Sequence, residues 1–309
     1  MRIITGIDAV RDQDRGTSAA LGNFDGVHRG HQAVLDAARI PGAPLGVVTF
    51  EPHPRVFFAP GAPPFRLMTP DARVHRLEKL GVERLFILSF NAALMGLSAE
   101  EFARDMLAGA LGLKHVAVGA DFRFGKGRAG DAAQLSALGA RYGFSVTAVD
   151  LVGGEEAISS TAIRIALAEG RPEDAAHMLG HRHRIDGAVQ HGEKRGRTLG
   201  FPTANIDLTG LHLPRFGVYA VTVDVLDGPH MGRHRGAASI GVRPMFGANT
   251  PNLEVFLLDF TGDLYGAELS VGLVKFLRPE EKYDGVDTLV AQMHRDCDQA
   301  AAALAAIGH

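Results

Sequence analysis

From residue 19 to residue 149 short apolar runs alternate with helical patterns, and that alternation leaves few folds open. Residues 45–50, 85–90, 115–119 and 144–149 are short, continuous and apolar, as strands buried on both faces must be. Between them, Ser98-Ala99-Glu100-Glu101 ahead of Phe102, Met106 and Leu107 has the form of a capping box, and Pro70-Asp71 opens a helix that carries Val74, Leu77 and Leu80. Strand and helix in turn predict a parallel α/β sheet with right-handed crossovers, whose ligands sit beyond the carboxyl ends of the strands.

After Gly180 the texture changes. Residues 218–225, 237–240, 253–258 and 269–274 are strand-like runs separated by Gly, Pro, Asn and Asp turns, which predicts antiparallel pairing. Only residues 284–307 return to helical spacing, with Val286, Leu289, Val290, Met293 and Cys297 on one face. A small antiparallel β-barrel with a C-terminal helix protects so many strand edges most simply. The charged, His-rich stretch at residues 171–186 marks the boundary, giving one domain over 1–182 and another over 183–309. A chain of 309 residues has room for two such domains.

The formal net charge of −3 offers no broad field for nucleic acid or an anionic membrane, so a phosphate-bearing partner is expected to be small. Cys297 is the only cysteine, which rules out an internal disulfide and a cysteine-held zinc. No secretory signal and no apolar stretch of bilayer length is visible, and the expectation is a cytoplasmic protein.

Residues 21–35, LGNFDGVHRGHQAVL, continue from an expected first strand at residues 19–23. Gly22, Gly26 and Gly30 let the backbone turn tightly and approach a ligand, and a helix from about Gly30 would aim its unpaired N–H groups at an anion. His28 and His31 flank that helix start, where imidazoles can donate to phosphates as charge builds during attack at an α-phosphorus. The alternative is a glycine turn with two surface histidines. The glycine spacing matches neither G-x-G-x-x-G nor G-x-x-x-x-G-K-[ST], and so indicates neither a dinucleotide fold nor a P-loop. Downstream, Ser159, Ser160 and Thr161 offer hydroxyls and N–H groups at the start of a helix whose apolar face is Ile163, Ala166 and Leu167, with Arg164 one turn in. That is either a phosphate clamp or an ordinary Ser/Thr cap beside a solvated arginine.

In GEKRGRTLGFPTANI, residues 192–206, Lys194, Arg195 and Arg197 lie among glycines before a Pro-Thr-Ala-Asn turn. Basic side chains and glycine N–H groups suit phosphate, and Thr203 and Asn205 offer neutral oxygens for Mg²⁺; taken alone, the stretch could be a basic hairpin. Glu254, in NLEVFLLDF, shares a strand face with Phe256 and Leu258. A carboxylate between apolar neighbours is unusual on a solvated face, although a salt bridge at the barrel edge would also account for it.

These segments, with TFEPHP at 49–54 and VGADFRFGKGRAGD at 118–131, resemble in order and separation the bacterial bifunctional riboflavin kinase/FAD synthetases. GRTLGFPTAN is similar to that family's kinase signature almost letter for letter, and the resemblance covers essentially the whole chain. It implies a Rossmann-like nucleotidyltransferase domain followed by a kinase barrel. The implied reactions are phosphorylation of riboflavin by ATP to FMN, then adenylylation of FMN by ATP to FAD and pyrophosphate, both with Mg²⁺. Riboflavin, FMN, FAD and ATP are then the partners, without nucleic acid or membrane, and the enzyme is expected to be a monomer or a weak homo-oligomer.

By the same resemblance His28 and His31 serve adenylyl transfer, and Gly22, Phe24, Gly26, Ser159, Ser160, Thr161 and Arg164 hold its ATP. His53, Asp121, Phe122 and Phe124 meet the flavin, the last three within the family's G-x-D-F-x-F-G segment at Gly119 to Gly125. In the barrel Gly192, Arg197, Thr203 and Asn205 take ATP, Thr203 and Asn205 also take the metal, Glu254 is the base, and Arg278 with the terminal helix frames the flavin. Read locally, Phe122 and Phe124 could be core, Lys126 and Arg128 solvated loop charges, His53 structural and Arg278 a strand cap. Two positions depart from the family pattern: Phe256 stands where relatives often have His, and Met245, in GVRPMF, where they usually have Thr. Both bear on substrate fit rather than on the chemistry. Other readings are an enzyme with one working module and a flavin-binding protein without turnover. Simple binding needs neither metal ligands nor a base, so His28, His31, Thr203, Asn205 and Glu254 together argue against the latter.

Overall fold

The computed structural model describes residues 1–150, 152, 158–191, 199–245 and 248–308, without side chains at 243–245, 248 and 249. It divides into two compact units, Met1–Ala62 with Pro70–Ser159, and Pro63–Thr69 with Ser160–His309.

The first unit is the expected parallel α/β sheet. Its strands β1 (Arg2–Thr5), β2 (Ser18–Leu21), β3 (Leu45–Glu51), β4 (Arg84–Ser89), β5 (His115–Gly119) and β8 (Ser145–Val149) lie in the order β1-β4-β3-β2-β5-β8. A two-stranded antiparallel ribbon, β6 (Arg123–Phe124) with β7 (Gly130–Asp131), follows β5. The helices are α1 (Arg29–Ala37), α2 (Pro54–Phe58), α3 (Pro70–Lys79), α4 (Ala92–Gly96), α5 (Ala99–Glu101), which continues into a π-helix (Phe102–Ala110), and α6 (Ala132–Tyr142). The capping box at α5 forms as read: the Ser98 hydroxyl accepts the Glu101 N–H at 3.1 Å and the Glu101 carboxylate accepts the Ser98 N–H at 2.8 Å. Leu21, Val48, Phe86, Val116, Leu107 and Leu135 are almost wholly buried in one cluster.

The strand expected to be first is second in the chain. β1 precedes it and pairs with β4 at the sheet edge, where Ile4 is buried but Ile3 is 48% exposed, so four residues carry too little apolar signal. From β2 the chain runs outward through β3 and β4 on one side, and through β5 and β8 on the other. The loop after β2 therefore leaves the sheet where the winding reverses, the place at which such sheets bind ligands.

The second unit opens with α7 (Ser160–Ala168) and α8 (Pro172–Leu179), followed by β9 (Arg184–Ala188), β10 (Thr203–Asp207), β11 (Gly217–Val225), β12 (Gly232–Met245), β13 (Ala248–Leu257), β14 (Glu268–Arg278) and α9 (Val286–Ala305). The six strands pair antiparallel in the order β10-β13-β12-β11-β14-β9, and the Gln190 N–H donates to the Asn205 carbonyl at 2.8 Å to draw the two edges together. This is the expected antiparallel barrel with a C-terminal helix. Ile163, Leu167, Ala175 and Leu179 of α7 and α8 share one core with Ile185, Ile206, Val221 and Val255, so the compact unit begins ahead of the His-rich stretch.

Two expectations are corrected. The Pro-Thr-Ala-Asn segment is no turn: Thr203 begins β10, whose Ala204 and Ile206 enter the core while Thr203 and Asn205 point to the other face. The apolar face of α9 starts later and runs further than expected: Val286 is 58% exposed, Leu289, Val290 and Met293 are half-buried, and Cys297 packs with Ala300 and Leu304 on Ala220, Ala237 and Val274.

Candidate active sites

The loop at the switch point of the first unit is built under constraint. Phe24 and Val27 have φ of 55° and 46°, a region that side chains disfavour, and both are nearly inaccessible to solvent. Gly26 has φ of 86°, which glycine tolerates. The Asn23 carbonyl accepts from the Thr49 hydroxyl at 3.2 Å and from the Arg73 guanidinium at 3.2 Å, and Arg73 also pairs with Glu51 at 3.2 Å. Arg73 escaped sequence reasoning; its signal was a cation inside the buried face of α3, beside Ala72 and Leu77.

His28 is the N-cap of α1: its Nδ1 accepts the His31 N–H at 3.2 Å. A neutral imidazole has one donor nitrogen and one acceptor, so that bond puts the proton of His28 on Nε2. The two rings stack, and the Phe24 ring lies 5.0 Å from that of His31. Burial first, then the neighbouring His28, push the His31 pKa well below the usual histidine value. Its Nδ1 is buried with no hydrogen-bond partner among the described residues. A Cβ at Gly30 would lie 3.1 Å from Cε1 and Nδ1 of His28, so this glycine leaves room for the ring. Gly22 donates its N–H to the Val48 carbonyl at 3.1 Å and is packed beside Phe24.

His53 is also an N-cap, its Nδ1 accepting the Arg55 N–H at 3.0 Å at the start of α2. That short helix presents Phe57 and Phe58, 37% and 65% exposed, whose rings lie 5.5 and 5.8 Å from Phe90; Phe50 joins edge-on at 6.0 Å from Phe90. The sequence reading missed this aromatic group, because residues at the ends of β3, α2 and β4 meet only in the folded sheet. Asp121 is exposed and Phe122 half-buried. Phe124 is buried at 6% exposure between Phe102 and Phe122, so it packs in the core and supports Phe122 from beneath. Gly125 is left-handed, and a Cβ there would strike the Ala99 backbone at 2.7 Å.

Ser159 closes the first unit, and Ser160, Thr161 and Arg164 open α7 in the second. Ile163, Ala166 and Leu167 are the buried face of that helix, as its spacing predicts.

In the barrel, Asn205 stands directly opposite Glu254 and Thr203 opposite Phe256 in the β10–β13 ladder, while Ser239 of β12 is the other cross-strand neighbour of Glu254. Leu253, Val255 and Leu257 enter the core, so Glu254 and Phe256 face outward with Thr203 and Asn205. The Asn205 amide is oriented: Oδ1 accepts from Asn252 Nδ2 at 3.1 Å, and Nδ2 donates to the Thr203 carbonyl at 3.3 Å. Phe201 lies 5.1 Å from Phe256 and 4.9 Å from His294 of α9, an aromatic wall on the same face that the sequence reading also missed. Arg278 forks onto Asp296 of α9 at 2.8 and 2.6 Å and donates to the Pro279 carbonyl. Its guanidinium thereby locks the terminal helix to β14. Gly192 and Arg197, with Lys194 and Arg195, and the side chain of Met245 lie outside the described residues.

A switch-point loop with a histidine-capped helix, and a separate barrel carrying a carboxylate beside neutral oxygens, define a two-site transferase. The family model for FAD synthetase matches residues 10–162 and that for riboflavin kinase residues 179–304. The chain is 42% identical to the bifunctional riboflavin kinase/FMN adenylyltransferase of Pseudomonas fluorescens over 100% of both chains, and 40% identical to that of Escherichia coli K12 over 96% of both. A solved structure described as a macrolide-efflux protein from Streptococcus pneumoniae matches with a TM-score of 0.82 and 32% identity, over 95% of this chain and 97% of that one. Among the described residues no helix is long and apolar enough to cross a membrane. The chain belongs to the family of bifunctional riboflavin kinase/FMN adenylyltransferases, ATP-using enzymes of flavin cofactor biosynthesis.

Proposed function

We propose that this chain makes FMN from riboflavin in residues 183–309 and FAD from FMN in residues 1–182, in the cytoplasm, with ATP and Mg²⁺ in both steps. The observation that carries the reading is the placement of Glu254 directly across the ladder from Asn205, which sets a base beside a candidate metal ligand.

In the kinase step the riboflavin 5′-hydroxyl oxygen bonds to the γ-phosphorus of ATP, the bond to the β–γ bridging oxygen breaks and ADP leaves. Glu254 accepts the hydroxyl proton, a role that needs a carboxylate on the face where the phosphates lie. Thr203 and Asn205 fit a hard cation: they offer neutral oxygens on one strand face, and Mg²⁺ normally takes few protein ligands alongside substrate phosphates. Among the described residues no group of three His, Cys, Asp or Glu competes for such an ion. When bound, Mg²⁺ would offset phosphate charge. Asn252 holds the Asn205 amide, and Arg278 frames the flavin side by fixing α9.

In adenylyl transfer an FMN phosphate oxygen bonds to the α-phosphorus of a second ATP as the bond to the α–β bridging oxygen breaks and pyrophosphate leaves. His28, with its proton on Nε2, donates to the negative charge that develops, and His31 supports it as a stacked neutral ring. Gly22, Phe24 and Gly26 shape the loop around the nucleotide, and Ser159, Ser160, Thr161 and Arg164 hold phosphate oxygens. The isoalloxazine stacks on the exposed Phe57 and Phe58, which the half-buried Phe90 backs, with His53, Asp121 and Phe122 at its margin; exposed aromatic faces favour a flat heterocycle.

Purified protein given riboflavin, ATP and Mg²⁺ should form FMN first and FAD later, and FMN given directly should yield FAD and pyrophosphate. Bound flavin without either product would leave only a binding protein.

A further inference from the structure

The second unit holds Arg164 through residues that lie outside the adenylyltransferase signature. The loop after β10 turns back along α7, where the His212 ring Nε2 bonds the Arg164 carbonyl at 2.9 Å and the Arg215 N–H donates to the Leu167 carbonyl at 2.9 Å. A carbonyl oxygen only accepts, so Nε2 of His212 carries the proton. The backbone N–H of His212 donates in turn to the Arg66 carbonyl at 2.8 Å, and Arg66 and Leu211 form a parallel bridge. The strap at Pro63–Thr69, set among residues of the first unit in sequence, thus packs with the barrel.

Phe65 of that strap completes the arrangement. Its carbonyl accepts from Arg164 Nε at 2.6 Å, and its ring centre lies 5.4 Å from the Arg164 guanidinium carbon. His212 to Arg66, Arg66 through the chain to Phe65, Phe65 to Arg164 and Arg164 back to His212 form a closed circuit. It fixes both the main chain and Nε of Arg164. An arginine has many rotamers to lose when it binds, and one confined beforehand loses fewer.

We propose that His212 is a positioning residue for adenylyl transfer: from a barrel loop it anchors Arg164 in the attitude that receives ATP phosphate. The inference rests on the assignment of Arg164 to ATP in that step. It also explains why a helix bearing adenylyltransferase residues is packed with the kinase barrel.

The test uses the full-length enzyme and follows both reactions together with the melting temperature. His212→Leu should raise the KM for ATP in FMN adenylylation about 3- to 10-fold, the effect of one lost hydrogen bond, while riboflavin phosphorylation keeps its kinetics. His212→Gln, whose Nε2–H reaches as far as the imidazole Nε2–H, should restore the KM, and the shorter His212→Asn should not. The Gln and Asn pair serves the same comparison if the Leu variant does not fold. Arg164→Lys is the control. If it leaves the KM for ATP unchanged, the assignment of Arg164 falls and the proposal with it. If it raises the KM while His212→Leu and His212→Asn do not, positioning by His212 alone is overturned. Equal losses in both reactions that follow melting temperature would reduce His212 to a structural residue.

Discussion

The imidazole rings of His28 and His31 stack with centroids 3.6 Å apart and planes 16° from parallel. Two imidazolium ions so close would repel, so the pair resists carrying two protons. The lowered pKa of His31 has that repulsion as its second cause, after burial. With its Nδ1 taken by the His31 N–H, His28 presents Nε2–H as the donor of the pair.

Replacing both rings, His28→Ala with His31→Ala, should lower FAD formation about 10²- to 10³-fold, as loss of a preorganised donor does. FMN should accumulate from riboflavin at the wild-type rate. Chromatographic resolution of FMN from FAD over time checks this, and undiminished FAD synthesis would reduce the stacked pair to packing.

Gly30→Ala addresses the same ring without removing it. The new Cβ would stand 3.1 Å from His28 Nδ1, and the ring cannot yield easily because His31 both stacks on it and bonds it. Adenylyl transfer should slow about tenfold, in keeping with the cost of small misplacements of reacting groups. The melting temperature should stay near that of the parent, and normal turnover would show that the ring has slack.

Glu254→Gln keeps the shape of the side chain opposite Asn205 but cannot accept a proton. FMN production should fall about 10²- to 10⁴-fold with riboflavin binding little changed. FMN supplied directly should still become FAD. Wild-type FMN production would move the base to another carboxylate.

The kinase fragment provides a test of packing. Ile163, Leu167 and Leu179 are at most 1% exposed in the core that also holds Ile185, Tyr219 and Val221. Each such side chain contributes about 1.5–3 kcal/mol when fully buried. A fragment beginning at Ser160 should therefore unfold at higher denaturant than one beginning at His183, while both form FMN. Coincident midpoints would show that α7 and α8 add nothing to the barrel.

His183 is 4% exposed, and burial, with His181 and His212 as weaker causes, holds its pKa near 3 against an ordinary 6.5. Above 6.5 neither the folded nor the unfolded chain binds this proton, so the contribution to stability is complete. Between 6.5 and about 3 the unfolded chain binds a proton that the fold refuses, and stability declines. The slope from this one group is at most about 1.4 kcal/mol per pH unit. Denaturant unfolding from pH 7 to 5 should thus weaken the parent more steeply than His183→Asn, whatever that change does at pH 7. Parallel slopes would exclude His183 as the cause.

Much of this protein is local and so legible in one dimension. The capping box at Ser98, the buried stripe of Ile163, Ala166 and Leu167, and β5 at His115–Gly119 follow from hydrogen-bonding chemistry and periodicity within a few residues. The histidines and the GRTLGFPTAN stretch were legible as phosphate-binding candidates only through their resemblance to a family's motifs, since each taken locally also reads as a turn or a basic hairpin. Failure began where the signal was short or shared. β1 has four residues with one buried side chain, and the Pro-Thr-Ala-Asn segment looked like a turn because only its partner, β13, makes it a strand.

Tertiary structure alone decided what those chemical groups stand beside. Glu254 and Asn205 are neighbours through the register of an antiparallel ladder, and the Phe57, Phe58 and Phe90 rings meet because parallel strands end together. Phe124 became core when Phe102 and Phe122 closed on it, and Arg278 became the anchor of α9 when Asp296 came within reach. The physical reason is range. Propensity, capping and residue chemistry act over one helical turn or one strand pleat, whereas register, closure and burial depend on partners many residues away whose positions emerge only when the whole core packs.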